Sequence, residues 1–244
     1  MNGNPAKRVC LLTGASGELG ETFCQMFAAH YDIAAVYCQN LPKAPSQLRW
    51  FVDPLTPNAE LPNNAIFAIQ ADLRQETDLR RIVEVTLARF GRIDFLVNAA
   101  VFSFWAPILD GDRLQRTLYD QFDVNLFVPL RLSTLVAEKF WKNRELENRK
   151  LNRSIINVSS TAGLYIYPDQ GQSVYSASKA ALNYLTLHMA AEFGVIGVRA
   201  NVLAPTSFPN LIRAETVADG IRRLSESNDS GKILVLNAHG ESWL

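Results

Sequence analysis

The chain has 244 residues, of which 48% are apolar and 20% are charged. A chain of this length and composition can bury a full core, and it fits one large α/β domain better than two small ones. Twenty-four basic residues balance 24 acidic residues, so net charge provides no attraction to nucleic acid or to an anionic membrane, and we expect binding to neither.

The cysteines and histidines do not form a metal-binding pattern. Cys10, Cys24 and Cys38 are scattered without a CxxC motif, and the three histidines lie far apart in the sequence. We therefore expect reduced thiols, a cytoplasmic location and no metal ion. The apolar run at residues 9–12 is too short for a signal peptide or a membrane span.

Seven short apolar runs rich in β-branched residues predict seven strands. Segments with helical period lie between most of them, and Leu19, Phe23 and Met26, for example, share one helix face. Parallel strands joined by helices are covered on both faces, so the sequence predicts an α/β fold, one doubly wound domain over residues 1–244 with a parallel sheet of about seven strands. The predicted strands are residues 9–12, 33–37, 66–69, 95–97, 155–158, 198–203 and 233–236.

Two stretches interrupt this alternation. Five prolines lie between residues 42 and 62, where a crossover helix would normally follow the second strand. Because proline lacks a backbone donor and restricts the backbone, we expect an irregular connection there. Residues 139–153 are strongly charged, which predicts a solvated helix end and loop rather than a binding patch.

A glycine-rich turn follows the first predicted strand. Gly14, Gly17 and Gly20 lie in VCLLTGASGELGETF, residues 9–23. In such a turn the glycines let the backbone approach a pyrophosphate, and the amides at the helix start donate hydrogen bonds to it. The turn predicts a dinucleotide site, and a tight turn without a ligand is the alternative.

Four further motifs follow this turn in order. They are VNAA at 97–100, DVN at 123–125, INVSS at 156–160 and YSASK at 175–179. With the glycine turn they make the chain resemble the short-chain dehydrogenase/reductase family over nearly its whole length. The resemblance implies a Rossmann fold and hydride transfer between a nicotinamide cofactor and a carbonyl compound or alcohol.

The resemblance implies four catalytic residues. Tyr175 would exchange a proton with the substrate oxygen, and Lys179, one helical turn away, would lower the pKa of Tyr175 and hold the ribose hydroxyls. An ammonium about 4 Å away supplies roughly 4 kcal/mol, enough to lower a pKa near 10 by about three units. Ser160 would orient the substrate oxygen, with Ser159 as the alternative, and Asn125 would hold a relay water.

The resemblance also implies a cofactor site. Asp72 matches the family acid that contacts the adenine, and it could also cap the next helix. No acid follows the second strand, where a carboxylate would repel a 2′-phosphate, so NADP(H) is expected and NAD(H) is possible, although Glu18 favours NAD(H). The expected cofactor residues are Gly14, Ser16, Gly17, Glu18, Leu19, Gly20, Tyr37, Gln39, Asn40, Asp72, Leu73, Asn98, Ala99, Ala100, Tyr175, Lys179, Pro205, Thr206 and Phe208.

Three segments depart from the family pattern. The turn reads TGxxGxxG rather than TGxxxGxG, so Glu18 stands in place of a glycine, and Val101 replaces the glycine of LVNNAG. The segment after residue 205 is short, which predicts a shortened substrate lid near residues 206–216. An open site would accept a large or carrier-bound substrate, or a partner chain would complete it.

Aromatic residues are expected at the substrate site, although packing within the protein is the alternative. The substrate is expected to be a small-molecule or carrier-bound carbonyl compound. We predict an NADP(H)-preferring ketone reductase or secondary alcohol dehydrogenase, a homodimer or homotetramer paired through helices near 112–140 and 175–193. The alternatives are a catalytically inactive cofactor sensor or scaffold, and a pteridine-reductase-like activity. The expected substrate-binding residues are Ser160, Phe102, Phe104 and Tyr167.

Overall fold

Eight strands form the central sheet of the protein. The computed structural model describes residues 7–46 and 65–244, to which all structural statements refer. The strands are β1 (Arg8–Thr13), β2 (Tyr31–Tyr37), β3 (Phe67–Gln70), β4 (Phe95–Asn98), β5 (Ser154–Val158), β6 (Arg199–Pro205), β7 (Ile233–Asn237) and β8 (Gly240–Trp243). Their order is β3-β2-β1-β4-β5-β6-β7-β8. The first seven strands are parallel, and β8 runs antiparallel to β7.

Eight α-helices accompany these strands. They are α1 (Glu18–Phe27), α2 (Glu76–Phe90), α3 (Gly111–Gln115), α4 (Leu118–Phe122), α5 (Val128–Val136), α6 (Glu145–Lys150), α7 (Ser173–Val195) and α8 (Ala214–Glu226). Two π-helical turns, Asp123–Phe127 and Ala137–Trp141, flank α5. In the described ranges, none of these helices is long and apolar enough to cross a membrane.

The α/β fold and the seven predicted strands are confirmed, each strand lying within two residues of its predicted bounds. β8 was not predicted because its four residues are all exposed and form no apolar run. It adds an antiparallel edge strand to the parallel sheet.

The core consists of one apolar layer on each face of the sheet. Neighbouring residues of a strand point to opposite faces, so Leu12 joins the layer that contains Phe23 of α1 and Ile221 of α8. Leu11 joins the opposite layer with Leu79 of α2 and Leu132 of α5. The continuous apolar runs of the sequence therefore reflect burial on both faces.

The strand order reverses at β1, which lies between β2 and β4. The chain leaves β1 towards one side of the sheet and later crosses to the other side. At such a reversal the loops after the two strands diverge and leave a crevice at their carboxyl ends. The glycine turn after β1 lies at this crevice.

The two predicted interruptions have different outcomes. Residues 38–46 form an irregular segment that ends in an isolated bridge between Ser46 and Ile66. Three of the five prolines, Pro54, Pro57 and Pro62, lie outside the described residues.

The prediction of a solvated segment at residues 139–153 is wrong in part. Arg153 is fully buried, where it donates to Asn148 Oδ1 and Glu147 Oε1, both at 2.6 Å. The buried Asp94 carboxylate lies 3.6 Å away. These oxygens compensate for the lost hydration of the guanidinium.

Two glycines give the β1–α1 turn its close packing. Gly14 has φ of +71°, and a Cβ there would lie 2.8 Å from the backbone of Ala100. A Cβ on Gly20 would lie 2.6 Å from Cα of Ala15 and would also overlap the Gly14 carbonyl oxygen. The first turn of α1 can approach this segment only without those side-chain atoms.

Gly20→Ala is therefore expected to lower the free energy of unfolding by about 2 kcal/mol, because the added methyl group forces the turn and α1 apart. Gly194→Ala is the matched control, since Gly194 is also helical and has open space around its Cβ position. The control should be neutral or stabilising. Urea denaturation measures both, and equal effects of the two substitutions would contradict the steric explanation.

Candidate active site

Tyr175 and Ser160 meet where α7 begins beside the carboxyl end of β5. Tyr175 lies in the first turn of α7, and its side chain is hydrogen-bonded to Ser160. The Ser160 hydroxyl also accepts from the Ala162 amide at 3.1 Å. A Cβ on Gly163 would lie 2.8 Å from the Ala180 nitrogen, so this glycine lets the short 3₁₀ turn after β5 lie against α7.

Lys179 lies one helical turn below Tyr175 and is only 2% exposed. Its Nζ donates to the Val158 carbonyl oxygen at 2.9 Å and lies 5.9 Å from the centroid of the Tyr175 ring. Burial lowers the pKa of Lys179 from 10.5 to about 8. Lys179 is thus a buried cation whose ammonium group contacts the last residue of β5.

Burial raises the pKa of Tyr175, and the hydrogen bond from Ser160 offsets part of this increase. This direction is opposite to the decrease expected from Lys179. The reason is that removal from water penalises the phenolate, while the ammonium of Lys179 is directed at the Val158 carbonyl. In this state Tyr175 is a protonated phenol at neutral pH.

Asn125 links three parts of the site. It is fully buried in the π-helical turn before α5. Its Nδ2 donates to the Phe102 carbonyl at 2.9 Å and to Ser178 Oγ at 3.0 Å, and its Oδ1 accepts from the Phe102 amide at 2.9 Å. Ser178 Oγ in turn donates to the Tyr175 carbonyl at 2.7 Å. Asn125 therefore joins the loop after β4 to the first turns of α7.

Sequence reasoning missed two of the residues that organise the site. Ser178 precedes Lys179 inside the YSASK motif, and Thr13 precedes Gly14 in the glycine turn. Thr13 Oγ1 accepts from the amides of Ala99 and Ala100 at 3.1 and 3.2 Å. Both residues lie within the glycine turn or the YSASK motif, so their position in these motifs could have identified them from the sequence.

The alternative assignment of Ser159 is less well supported by the geometry. Ser159 Oγ donates to the Lys179 carbonyl at 3.2 Å, whereas Ser160 contacts the Tyr175 side chain. Ser159 thus helps to attach α7 to β5, and Ser160 is the serine next to the phenol.

A cleft of about 480 Å³ lies at the carboxyl ends of β1, β2, β3 and β4. It contains ten of the sequence-predicted site residues, together with Arg74 and Cys38, which were not predicted. Five predicted cofactor residues do not line the cleft: Glu18 and Asn40 are exposed, and Leu19, Gly20 and Asn98 are buried. The predicted residues that line the cleft are Gly14, Ser16, Gly17, Tyr37, Gln39, Asp72, Leu73, Ala99, Ala100 and Phe102.

Asp72 does not cap the next helix, so this alternative is wrong. Helix α2 begins at Glu76, and the residue before it makes no side-chain capping bond. The Asp72 carboxylate instead accepts from the Arg74 guanidinium at 3.0 and 3.1 Å and from the Arg74 amide at 3.1 Å. These hydrogen bonds hold the pKa of Asp72 below its ordinary value.

The cleft fits a nicotinamide dinucleotide. Gly14 and Gly17 leave one wall without side chains, and α1 begins directly after Gly17. Bare backbone at a helix start is the arrangement that accommodates a pyrophosphate. Glu18 adds a negative charge at this helix start, but its side chain is exposed.

A second cavity of about 330 Å³ surrounds Tyr175 and Ser160. Tyr167 lines it and donates to Thr161 Oγ1 at 3.0 Å. Three residues expected at the cofactor, Pro205, Thr206 and Phe208, also line this cavity, as does Trp105.

Two predicted substrate residues lie elsewhere. Phe102 lines the cofactor cleft and not the cavity around Tyr175. Phe104 lines neither, because its ring lies under the Arg113 guanidinium at 5.4 Å. For Phe104 the alternative of packing within the protein is therefore the better description.

The connection between β6 and α8 is short. β6 ends at Pro205 and α8 begins at Ala214. Within the connection the Leu211 amide donates to the Ser207 carbonyl at 3.0 Å, and Phe208 packs against the core. This segment forms one wall of the cavity around Tyr175.

The family model for short chain dehydrogenases matches residues 8–219. The chain belongs to this short-chain dehydrogenase/reductase family. A solved short-chain dehydrogenase from Mycobacterium avium superposes with a TM-score of 0.76 at 23% identity, covering 98% of this chain and 84% of that one. This likeness supports the fold.

Two relatives of this dehydrogenase/reductase are named as reductases. The 3-oxoacyl-acyl-carrier-protein reductase of Thermotoga maritima is 30% identical over 81% of this chain and 73% of its own length. The peroxisomal 2,4-dienoyl-CoA reductase of Danio rerio is 28% identical over 91% of this chain and 65% of its own length. The chain therefore spans about two thirds of that second relative.

No metal centre is evident in the described residues, which contain no group of three or more histidine, cysteine or acidic side chains that could hold an ion. All three cysteines are free, and Cys10 and Cys24 are buried. Burial raises the pKa of both buried thiols.

The buried Lys179 predicts a pH-dependent stability. Between pH 8 and 10.5 the unfolded chain binds a proton at Lys179 that the folded protein does not bind, so stability rises with pH in this window. The free energy of unfolding of the wild type relative to Lys179→Met should rise by on the order of 3 kcal/mol across the window.

Urea denaturation at a series of pH values measures this difference. Lys142→Met is the matched control, because Lys142 is exposed. The difference in free energy of unfolding between this variant and the wild type should not change with pH. If the difference in free energy of unfolding between the wild type and Lys179→Met were also independent of pH, the folded protein would not lower the pKa of Lys179.

Proposed function

We propose that this protein is an NADP(H)-preferring oxidoreductase that interconverts a ketone and a secondary alcohol, with Tyr175 as the general acid and base. The observation that carries the proposal is the pairing of Tyr175 with Ser160 at the wall of a cavity, with Lys179 buried one turn below. Membership of a family of oxidoreductases supports the reaction class.

In ketone reduction, Tyr175 donates its phenolic proton to the substrate oxygen. Its raised pKa keeps the proton in place until the oxygen becomes basic, and Ser160 donates a second hydrogen bond to the same oxygen. The nicotinamide, when bound, supplies the hydride for reduction or accepts it in oxidation.

In alcohol oxidation, Tyr175 removes the hydroxyl proton and therefore needs positive charge nearby. Lys179 supplies it, because its Nζ is 5.9 Å from the ring. Ser178 and Asn125 act as positioning residues that hold the first turns of α7 against the loop after β4. Asn125 has both amide hydrogens and its oxygen occupied by these contacts.

The proposed preference for NADP(H) rests on the cleft at the end of β2. Tyr37, Cys38 and Gln39 line it there without a carboxylate, so nothing at this position repels a 2′-phosphate. Arg74 lines the same cleft but is shared with Asp72 and Asp120. We therefore attribute the preference to the lack of a carboxylate after β2, and not to attraction of the 2′-phosphate by Arg74.

Gln39→Asp is expected to weaken NADPH binding about tenfold or more, because the new carboxylate repels the 2′-phosphate and can instead bind a ribose hydroxyl of NADH. Gln25→Asp adds the same charge on an exposed position of α1 and should change neither affinity. Titration of each protein with NADPH and with NADH gives the dissociation constants. A stronger binding of NADH by the wild type would overturn the preference.

Tyr175→Phe is expected to lower kcat by at least about 100-fold, because general acid catalysis contributes factors of this size. Cofactor affinity should change little. Tyr165→Phe is the matched control, since Tyr165 is exposed and does not line the cavity. Steady-state rates with a ketone panel and cofactor titrations test both variants.

An inactive cofactor sensor is the second candidate, which Glu18 and Val101 favour. Val101 lines the cofactor cleft with its branched side chain exposed. A wild type that binds either cofactor yet reduces no ketone would support the sensor and contradict the enzyme.

We also propose that the chain acts as a homodimer or homotetramer in the cytoplasm, with residues 206–216 as a short lid. The exposed apolar residues Tyr119 and Leu130 on the helices before β5, and Tyr184 and Val195 on α7, support self-association. The three free cysteines support a reducing compartment.

A further inference from the structure

The cavity around Tyr175 has no charged wall. Its described lining includes no aspartate, glutamate, lysine or arginine. It consists of serine, threonine, glutamine, aromatic and aliphatic residues. The lining residues are Trp105, Ser159, Ser160, Thr161, Ala162, Tyr167, Gln170, Gln172, Tyr175, Pro205, Thr206, Ser207, Phe208 and Leu211. A charged substrate group inside it would lose hydration without gaining an ionic partner.

Charged residues that are close in sequence to the lining residues also offer little to an anion. Arg113 pairs with Asp110 at 3.2 Å and lies over Phe104, and Arg213 lies 3.4 Å from Glu215. The loop that carries Tyr167 contributes an acid, Asp169. A phosphate or carboxylate that approached Arg113 or Arg213 would have to compete with these acidic partners.

Apolar side chains extend from the cavity to the surface. Trp105 and Leu211 line the cavity and are 51% and 61% exposed. Ile108 and Ile166, on the loops beside Trp105 and Tyr167, are 71% and 93% exposed. The two loops are joined by a hydrogen bond from the Ala106 amide to the Gly171 carbonyl at 2.8 Å.

We propose that the substrate is an uncharged ketone or secondary alcohol with a long apolar chain. The inference rests on the proposed function. The reacting oxygen lies at Tyr175 and Ser160, and the chain leaves past Trp105 and Leu211 towards the apolar loops. Exposed apolar side chains near a cavity are a feature of ligand-binding sites.

This substrate class differs from those in the names of the two relatives, which act on thioesters of acyl carrier protein and of coenzyme A. Coenzyme A and the phosphopantetheine arm of an acyl carrier protein both contain phosphate groups. Arg113 and Arg213, the described basic residues nearest in sequence to Trp105 and Leu211, already have acidic partners.

A chain-length series tests the proposal. Methyl ketones from 2-butanone to 2-decanone are compared with keto acids of matched length that carry a terminal carboxylate, and with acetoacetyl-CoA. The value of kcat/KM should rise roughly fourfold per methylene along the neutral series, the equivalent of about 0.8 kcal/mol per buried methylene. Each keto acid should be at least about 10-fold poorer than the ketone of its length.

Leu211→Ala should reduce the ratio of kcat/KM between the longest and shortest ketones. Leu146→Ala is the matched control, because Leu146 is 85% exposed on α6 and lies outside the cavity. The control should leave the ratio unchanged. An equal loss in both variants would overturn the assigned path of the chain.

Direct binding separates this inference from the proposed function. Calorimetric titration of the protein with the same ketones reports chain-length dependence without turnover. Tighter binding of longer ketones with no turnover would contradict the proposed function and support the substrate class. Turnover that is independent of chain length, or faster with the keto acids or the thioester, would overturn the substrate class and leave the oxidoreductase function standing.

Discussion

The attachment of α7 to β5 is the constraint on which the candidate active site depends. Lys179 Nζ donates to the Val158 carbonyl at the end of β5, and Ser159, the residue directly after β5, donates from its Oγ to the Lys179 carbonyl in α7. Gly163 allows the intervening turn to lie close to α7. This attachment fixes the first turn of the helix, where Tyr175 meets Ser160.

This attachment does not by itself account for a lysine in a buried position. An ammonium removed from water is costly unless it has partners, and one carbonyl is a small compensation. An aliphatic side chain would fill the space without that cost. Strongly perturbed pKa values concentrate at functional sites, and Lys179 combines such a pKa with a place directly below Tyr175, the phenol that is hydrogen-bonded to Ser160.

The sequence predicts the parallel sheet well because continuous apolar runs and a glycine turn are local patterns. It fails where an outcome depends on distant partners. The charged segment around Arg153 predicts a surface position for this residue. Arg153 is nevertheless buried, because Asp94 and Glu147 are its acidic partners. Phe104 reads as a substrate residue, yet Arg113 covers it. In the site the motifs identify Tyr175 and its neighbours, but the direction of its pKa shift comes from burial, which no motif encodes.

The two cavities differ in the charge of their walls. The cofactor cleft contains Asp72 and Arg74, whereas the wall around Tyr175 contains uncharged side chains. A carboxylate beside Tyr175 would raise its pKa further, and a cation would lower it, so a neutral wall leaves burial and Ser160 in control of the phenol. The same absence of charge removes any partner for an ionic substrate. One property of the cavity, its uncharged wall, therefore underlies both the protonated state of Tyr175 and the neutral substrate that we propose.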